Sequence, residues 1–156
     1  MVQGQQILEM RNVLSYRAKM TQQELQAKSQ EIEKLLQNSG AQRSAPAVTT
    51  TYSVEQGAGG TVMDIEFLVP LDREITAPNG YVWKPHFLLT NALRIRHIGN
   101  PATLQNSINE LNAYITERRL VPITTGYNVT VKEAKTPQEL DNMEIDVYVG
   151  ISPNLL

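Results

Sequence analysis

The sequence predicts an α+β fold built from two copies of a strand–helix–strand–strand unit. Three observations carry that prediction. Apolar residues alternate with polar ones in several short runs, the period of a half-buried strand. Two longer runs carry apolar residues at helical spacing and begin with capping signals. The order of these elements recurs after about 79 to 80 residues.

The first strand is expected within Ile7–Met20, where Leu14, Tyr16, Ala18 and Met20 alternate with Ser15, Arg17 and Lys19. Thr21-Gln22-Gln23-Glu24 is a capping box, because the Thr hydroxyl and the Glu carboxylate can each satisfy a free amide of the first turn. Leu25, Ile32, Leu35 and Leu36 form the apolar stripe of the helix that follows, and Gly40 suits its left-handed stop. Ala47–Glu55 is rich in Thr, Val and Tyr and reads as a strand. Gln56–Gly60 reads as a hairpin turn and Thr61–Leu71 as the next strand. In that strand Ile65, Phe67 and Val69 point one way, and Asp64, Glu66 and Leu68 the other.

Residues 72–86 carry Pro78-Asn79-Gly80 and Pro85 and are expected to be a linker. The pattern then restarts. His86–Ile98 is a strand with Leu93, Ile95 and His97 on one face and Arg94 and Arg96 on the other. Asn100-Pro101 opens a helix with a cap and a proline at its first position. Leu104, Ile108, Leu111 and Ile115 give its stripe, and Arg118 and Arg119 close it. Thr124–Glu133 and Asn142–Ser152 are the remaining strands, joined by a loop at Ala134–Asp141.

The repeat is visible residue by residue. Val62-Met63-Asp64-Ile65-Glu66-Phe67-Leu68-Val69 matches Asn142-Met143-Glu144-Ile145-Asp146-Val147-Tyr148-Val149, and Ile32 and Leu36 match Leu111 and Ile115. One such unit buries too little area to stand alone. The expectation is therefore a single domain, 1–156, with repeats at about 8–71 and 87–152. A pseudo-twofold would relate them, giving one antiparallel sheet with two long helices on one side and a cleft between the halves.

Composition excludes several functions. The 156 residues carry a net charge of −2 and no long basic run, so no nucleic-acid partner is expected. Cysteine is absent, which removes disulfides and thiolate chemistry. The N-terminus lacks a signal pattern, and no apolar run approaches the roughly 18 residues of a membrane span. The reading is a soluble cytoplasmic protein without a membrane partner. His86 and His97 lack companion ligands at metal spacing, so no metal and no cofactor is expected. Gly57-Ala58-Gly59-Gly60 precedes a strand, so it is a turn and not a phosphate loop.

Two tandem units ending in Met143-Glu144-Ile145-Asp146-Val147-Tyr148-Val149 resemble the GyrI-like superfamily, which includes the effector-binding domains of bacterial multidrug-responsive transcription activators. The resemblance covers about residues 8–152. It implies a concave site for a small amphipathic or aromatic molecule, cations among them, with aromatic walls and a buried carboxylate. The candidate ligand-binding residues are then Tyr16, Tyr52, Glu66, Tyr81, Trp83, Tyr127, Asp146 and Tyr148, with no catalytic residue. Two features depart from the family. No helix-turn-helix segment precedes the domain, and Thr124–Val131 lacks an acidic residue.

Each candidate also has a plainer reading. Trp83 and Tyr81 could fill a gap in the core, the tyrosines could pack with their hydroxyls at the rim, and Glu66 and Asp146 could lie on a solvated strand face. Two alternatives to a ligand-binding module follow. One is a protein–protein interaction module with a filled cleft, in keeping with a fainter resemblance to proteins of Gram-positive bacteria encoded near type VII secretion toxins. The other is a hydrolase of the GyrI-like type.

Overall fold

The computed structural model describes residues 1–154. Six strands and two long helices follow one another as β1 (Val2–Thr21), α1 (Gln22–Ser39), β2 (Val48–Gly57), β3 (Gly60–Pro70), β4 (Val82–Ile98), α2 (Leu104–Glu117), β5 (Tyr127–Lys132) and β6 (Glu144–Gly150). Strand–helix–strand–strand thus occurs twice, as the sequence predicts. The chain divides into two compact units, one of residues 10–87 and one of residues 1–9 with 88–156. They are called here the first and the second unit.

In the first unit β3 lies between β1 and β2, antiparallel to both. Helix α1 begins at the predicted capping box. The Thr21 hydroxyl accepts from the Glu24 amide, and the Glu24 carboxylate accepts from the Thr21 amide. It ends at Gly40, whose φ of 73° lies in the left-handed region. The stripe closes on the sheet: Ile32 and Leu36 are buried with Leu14, Met20, Ile65, Phe67 and Val69. The linker is packed against this same core through Ile75, Ala77, Tyr81 and Trp83.

In the second unit β6 lies between β4 and β5, again antiparallel. Leu111 and Ile115 of α2 are buried with Leu93, Ile95, Val147 and Val149. Asn100 caps the entry to this helix, accepting from the Ala102 amide at 2.9 Å, and a short 3-10 turn over Pro101–Thr103 precedes α2 itself.

Three strand starts differ from the sequence reading by three residues or more. Strand β1 starts at Val2 and not near Ile7, because residues 2–6 are extended without the apolar alternation on which the reading depends. Strand β4 starts at Val82, so the linker is shorter than 72–86; Pro85, read as a breaker, sits inside the strand. Strand β5 starts at Tyr127 and not at Thr124. There the Thr124 hydroxyl takes the Gly150 amide at 2.9 Å, replacing a backbone ladder bond. Gly150 has no side chain to spare in this contact, since a Cβ on it would lie 2.9 Å from Thr124 Cγ2.

The caps give a direct test of how α1 is delimited. Thr21→Ala should cost about 1 kcal/mol in urea unfolding. A Cβ at Gly40 meets nothing within 4 Å. Gly40→Ala should therefore cost about 1 kcal/mol through backbone strain alone, and Gly40→Asn should recover part of it.

Candidate functional site

Each sheet has a second face, turned away from its helix, and each carries one buried acid there. In the first unit this acid is Glu66, 4% exposed, and in the second it is its repeat counterpart Asp146, 3% exposed. Neither is on the solvated strand face that a plain reading of the sequence allows. Leu68 and Thr50, which share the Glu66 face by register, are also fully buried.

Burying a carboxylate costs several kcal/mol unless its charge and lone pairs are met. Glu66 meets the requirement with three short bonds. Ser15 Oγ donates at 2.5 Å, the Tyr52 hydroxyl at 2.6 Å and Lys84 Nζ at 2.6 Å. Burial alone would push the Glu66 carboxyl up. The bonds from Lys84, Ser15 and Tyr52 outweigh it and hold the group below its usual range.

Local structure explains each donor. Ser15 and Arg17 lie on the same face of β1 as Glu66, with Arg17 directly opposite it. Tyr52 is the extra residue of a β-bulge, since Thr51 pairs with Ile65 and Ser53 with Asp64. A bulge re-aims a side chain that regular alternation would place elsewhere. Lys84 follows Trp83 on β4, so Trp83 goes to the helix-side core and Lys84 to the opposite side. Arg17 does not pair with the acid facing it. It forms a two-bond fork with Asp64, at 3.0 Å each, and its guanidinium lies 3.6 Å from the Tyr52 ring centroid. That fork holds the Asp64 carboxyl below its usual range.

The second unit solves the same problem differently. Arg96, opposite Asp146 by register, keeps the cross-strand pair, with Nε at 2.7 Å and Nη2 at 2.8 Å from the two carboxylate oxygens. The fork raises the Arg96 pKa further. Arg94 adds a second guanidinium at 3.8 Å. The bulge recurs between Thr130 and Lys132, but its extra residue is Val131, which offers no donor. Tyr148 lies opposite both Arg94 and Tyr127 on this face.

The eight candidates therefore fall into three groups. Tyr52 and Glu66 meet directly. Tyr127, Asp146 and Tyr148 share one face of the second unit. Tyr16, Tyr81 and Trp83 lie on the helix side of the first unit, packed against its core. The Tyr16 and Tyr81 ring centroids are 4.9 Å apart, and Lys28 Nζ sits 4.2 Å above Tyr16 and 5.7 Å from Tyr81. The Tyr81 hydroxyl is buried without a hydrogen-bond partner, and burial pushes its pKa up. Sequence reasoning misses Ser15, Lys84, Arg17 and Arg96. The arginine pair was legible, since both recur at matching places in the repeat. Lys84 was hidden in the supposed linker.

His97 belongs to another cluster. Its Nε2 lies 3.0 Å from the Asn100 carbonyl, which can only accept, so Nε2 donates there, and Nδ1 lies 2.8 Å from the Ser107 hydroxyl. This ties the end of β4 to α2. Among the described residues no three acidic or histidine side chains are placed to hold a metal ion, and no helix is long and apolar enough to cross a membrane.

No protein-family model matches the sequence, and no curated protein matches it. Solved structures do. The C-terminal domain of EcmrR aligns over 97% of this chain and 98% of its own length, with a TM-score of 0.72 and 12% identity. The chain shares the fold of that domain. The longer EcmrR chain, in complex with DNA, aligns over 97% of this chain and 57% of its own, at a TM-score of 0.75 and 13% identity, so the present chain spans a little over half of it. SAV2435 bound to tetraphenylphosphonium aligns over 98% of this chain and 93% of its own length, at a TM-score of 0.56 and 10% identity. Identities this low establish the fold alone.

The Glu66 arrangement predicts an acid-sensitive fold. A carboxyl held below its unfolded value contributes stability that is complete above about pH 4.3, where unfolded glutamate titrates. That contribution is lost as pH falls through the lower folded value. The thermal midpoint of the wild-type protein should therefore drop below about pH 4.3, and Glu66→Gln should show a shallower drop. Equal slopes for the two proteins would show that Glu66 is not an acid-labile tie.

Proposed function

We propose that this chain is a small-molecule-binding module that takes its ligand at Glu66 of the first unit. The ligand class is amphipathic or aromatic, organic cations included. One observation carries this reading: Glu66 is a buried carboxylate whose ionic partner is a displaceable, partly exposed lysine, where the repeat places a two-bond arginine on Asp146. The Lys84 side chain is 35% exposed, so solvent reaches the ion pair. Tyr52 adds an aromatic face and a hydroxyl beside the same carboxylate, the chemistry that attracts organic cations.

The structural neighbours support the class of ligand. SAV2435 has been seen with tetraphenylphosphonium, a lipophilic cation. The EcmrR C-terminal domain shares the fold over nearly the whole of both chains. Asp146 has a structural part in this reading, holding β4 to β6 through Arg96. Tyr16, Tyr81 and Trp83 stiffen the core behind the sheet, and Trp83, one residue from Lys84, supplies a fluorescence signal.

Titration calorimetry with tetraphenylphosphonium is expected to give one saturable site, accompanied by a change in Trp83 emission. Glu66→Gln should weaken binding about tenfold or more, the scale of the lost attraction between a cation and a partly buried carboxylate. Unchanged affinity in that variant, or no saturable binding with lipophilic cations and neutral aromatics alike, would sink this assignment.

A further inference from the structure

We infer that Lys84 is a resident counter-ion of the site: it holds the cation position on Glu66, and a cationic ligand binds by exchanging with it. The inference rests on the reading of Glu66 as the ligand carboxylate and adds what that carboxylate demands of the ligand.

Arg17 and Asp64 neutralise one another through their fork. The remaining pair, Glu66 and Lys84, is neutral as well, so the site offers an incoming cation no net negative charge. The Tyr52 ring is also covered, because the Arg17 guanidinium lies 3.6 Å from its centroid. Both features that attract a cation, the carboxylate and the aromatic face, already carry cations of the chain itself.

The two cations differ in how firmly they are held. Arg17 is fixed by its planar fork. Lys84 makes one bond of 2.6 Å, from a compact ammonium on a flexible stem that is 35% exposed. An ammonium is strongly hydrated and can return to water at small cost. Ser15 and Tyr52 are hydroxyls that stay on Glu66 whatever cation occupies the remaining lone pair. Exchange therefore gives up one hydrogen bond to the carboxylate, met by charge attraction alone when the ligand has no donor, and leaves two bonds in place. A ligand gains only the difference between its own contacts and those of Lys84, so Lys84 sets a threshold that favours bulky apolar cations over small hydrated ones.

Tetraphenylphosphonium and tetraphenylborate, matched in shape and opposite in charge, test this by calorimetry. Lys84→Gln should bind tetraphenylphosphonium about tenfold or more tighter than wild type, since one charged bond no longer competes. Lys84→Arg should bind it more weakly than wild type, because a fork grips the carboxylate harder; this variant keeps the inference testable if Lys84→Gln does not fold. Glu66→Gln frees the ammonium and should reverse the preference in favour of tetraphenylborate. An ion pair with a purely structural part would lower stability in the variants without reversing charge preference. If Glu66→Gln loses tetraphenylphosphonium while both Lys84 variants match wild type, the ligand site stands and the counter-ion falls. If Glu66→Gln binds tetraphenylphosphonium as wild type does, the site assignment falls and this inference with it.

Discussion

A carboxylate buried on a strand flanked by two antiparallel neighbours constrains everything near it. Glu66 stands on β3 between β1 and β2, on the face that α1 does not cover. The sheet must deliver donors to it from its neighbours. Strand β1 supplies Ser15 by simple alternation, β2 supplies Tyr52 by inserting one residue, and β4 supplies Lys84. Each device is local, and each would be pointless without the acid. The bulge breaks the β2–β3 register at one point and leaves an extra residue outside the ladder. That disruption is offset because the extra side chain satisfies a group whose unmet burial would cost more.

The duplicated frame sharpens the contrast. Both units place an acid at the same point of their middle strand, an arginine directly across from it and a bulge in the outer strand. With the frame held constant, the chemistry diverges at a few side chains: Ser15 against Arg94, Tyr52 against Val131, and an arginine turned to Asp64 against one locked on Asp146. The second unit keeps a fork of 2.7 and 2.8 Å, whose planar donors match a carboxylate and lose little freedom on binding it. The first gives its acid two hydroxyls and an ammonium. The same position is thus a two-bond clamp in one unit and a meeting of two hydroxyls and an ammonium in the other.

Much of the fold was legible because it is written in local rules. The Thr21 and Asn100 caps, the Gly40 stop and the stripes through Ile32, Leu36, Leu111 and Ile115 depend on residues within a few positions of one another. The site was legible only in part. Glu66 and Asp146 stood out through the repeat, yet alternation alone could not say that their face is buried. Tyr52 reaches Glu66 through a bulge, and a one-residue insertion inverts facing beyond it without any sign in composition. Lys84 was obscured because Pro85 and Pro78-Asn79-Gly80 marked the stretch as linker. The aromatics show the same limit: Tyr16, Tyr81 and Trp83 read as a ligand wall in the sequence, and alternation and the packed linker bring them to the helix side, where Lys28 lies over Tyr16.

That placement narrows what the aromatics can contribute. A cation over a ring is worth little at an exposed position and more when water is excluded. Lys28 meets Tyr16 on the helix side of the sheet, and its ammonium is also held by Glu31 at 2.9 Å. It serves to pin α1 over β1 rather than to hold a place for a ligand. Arg17 over Tyr52 is tied down in the same way by Asp64. Among these paired cations, Lys84 is the one whose anchor is a buried acid with two further donors of its own. Removing Lys28 or Arg17 would strip a face from a ring, whereas moving Lys84 aside leaves a buried carboxylate short of one partner. The proposed cation exchange is therefore assigned to the lysine on Glu66, and its selectivity would follow from how readily that lysine returns to water.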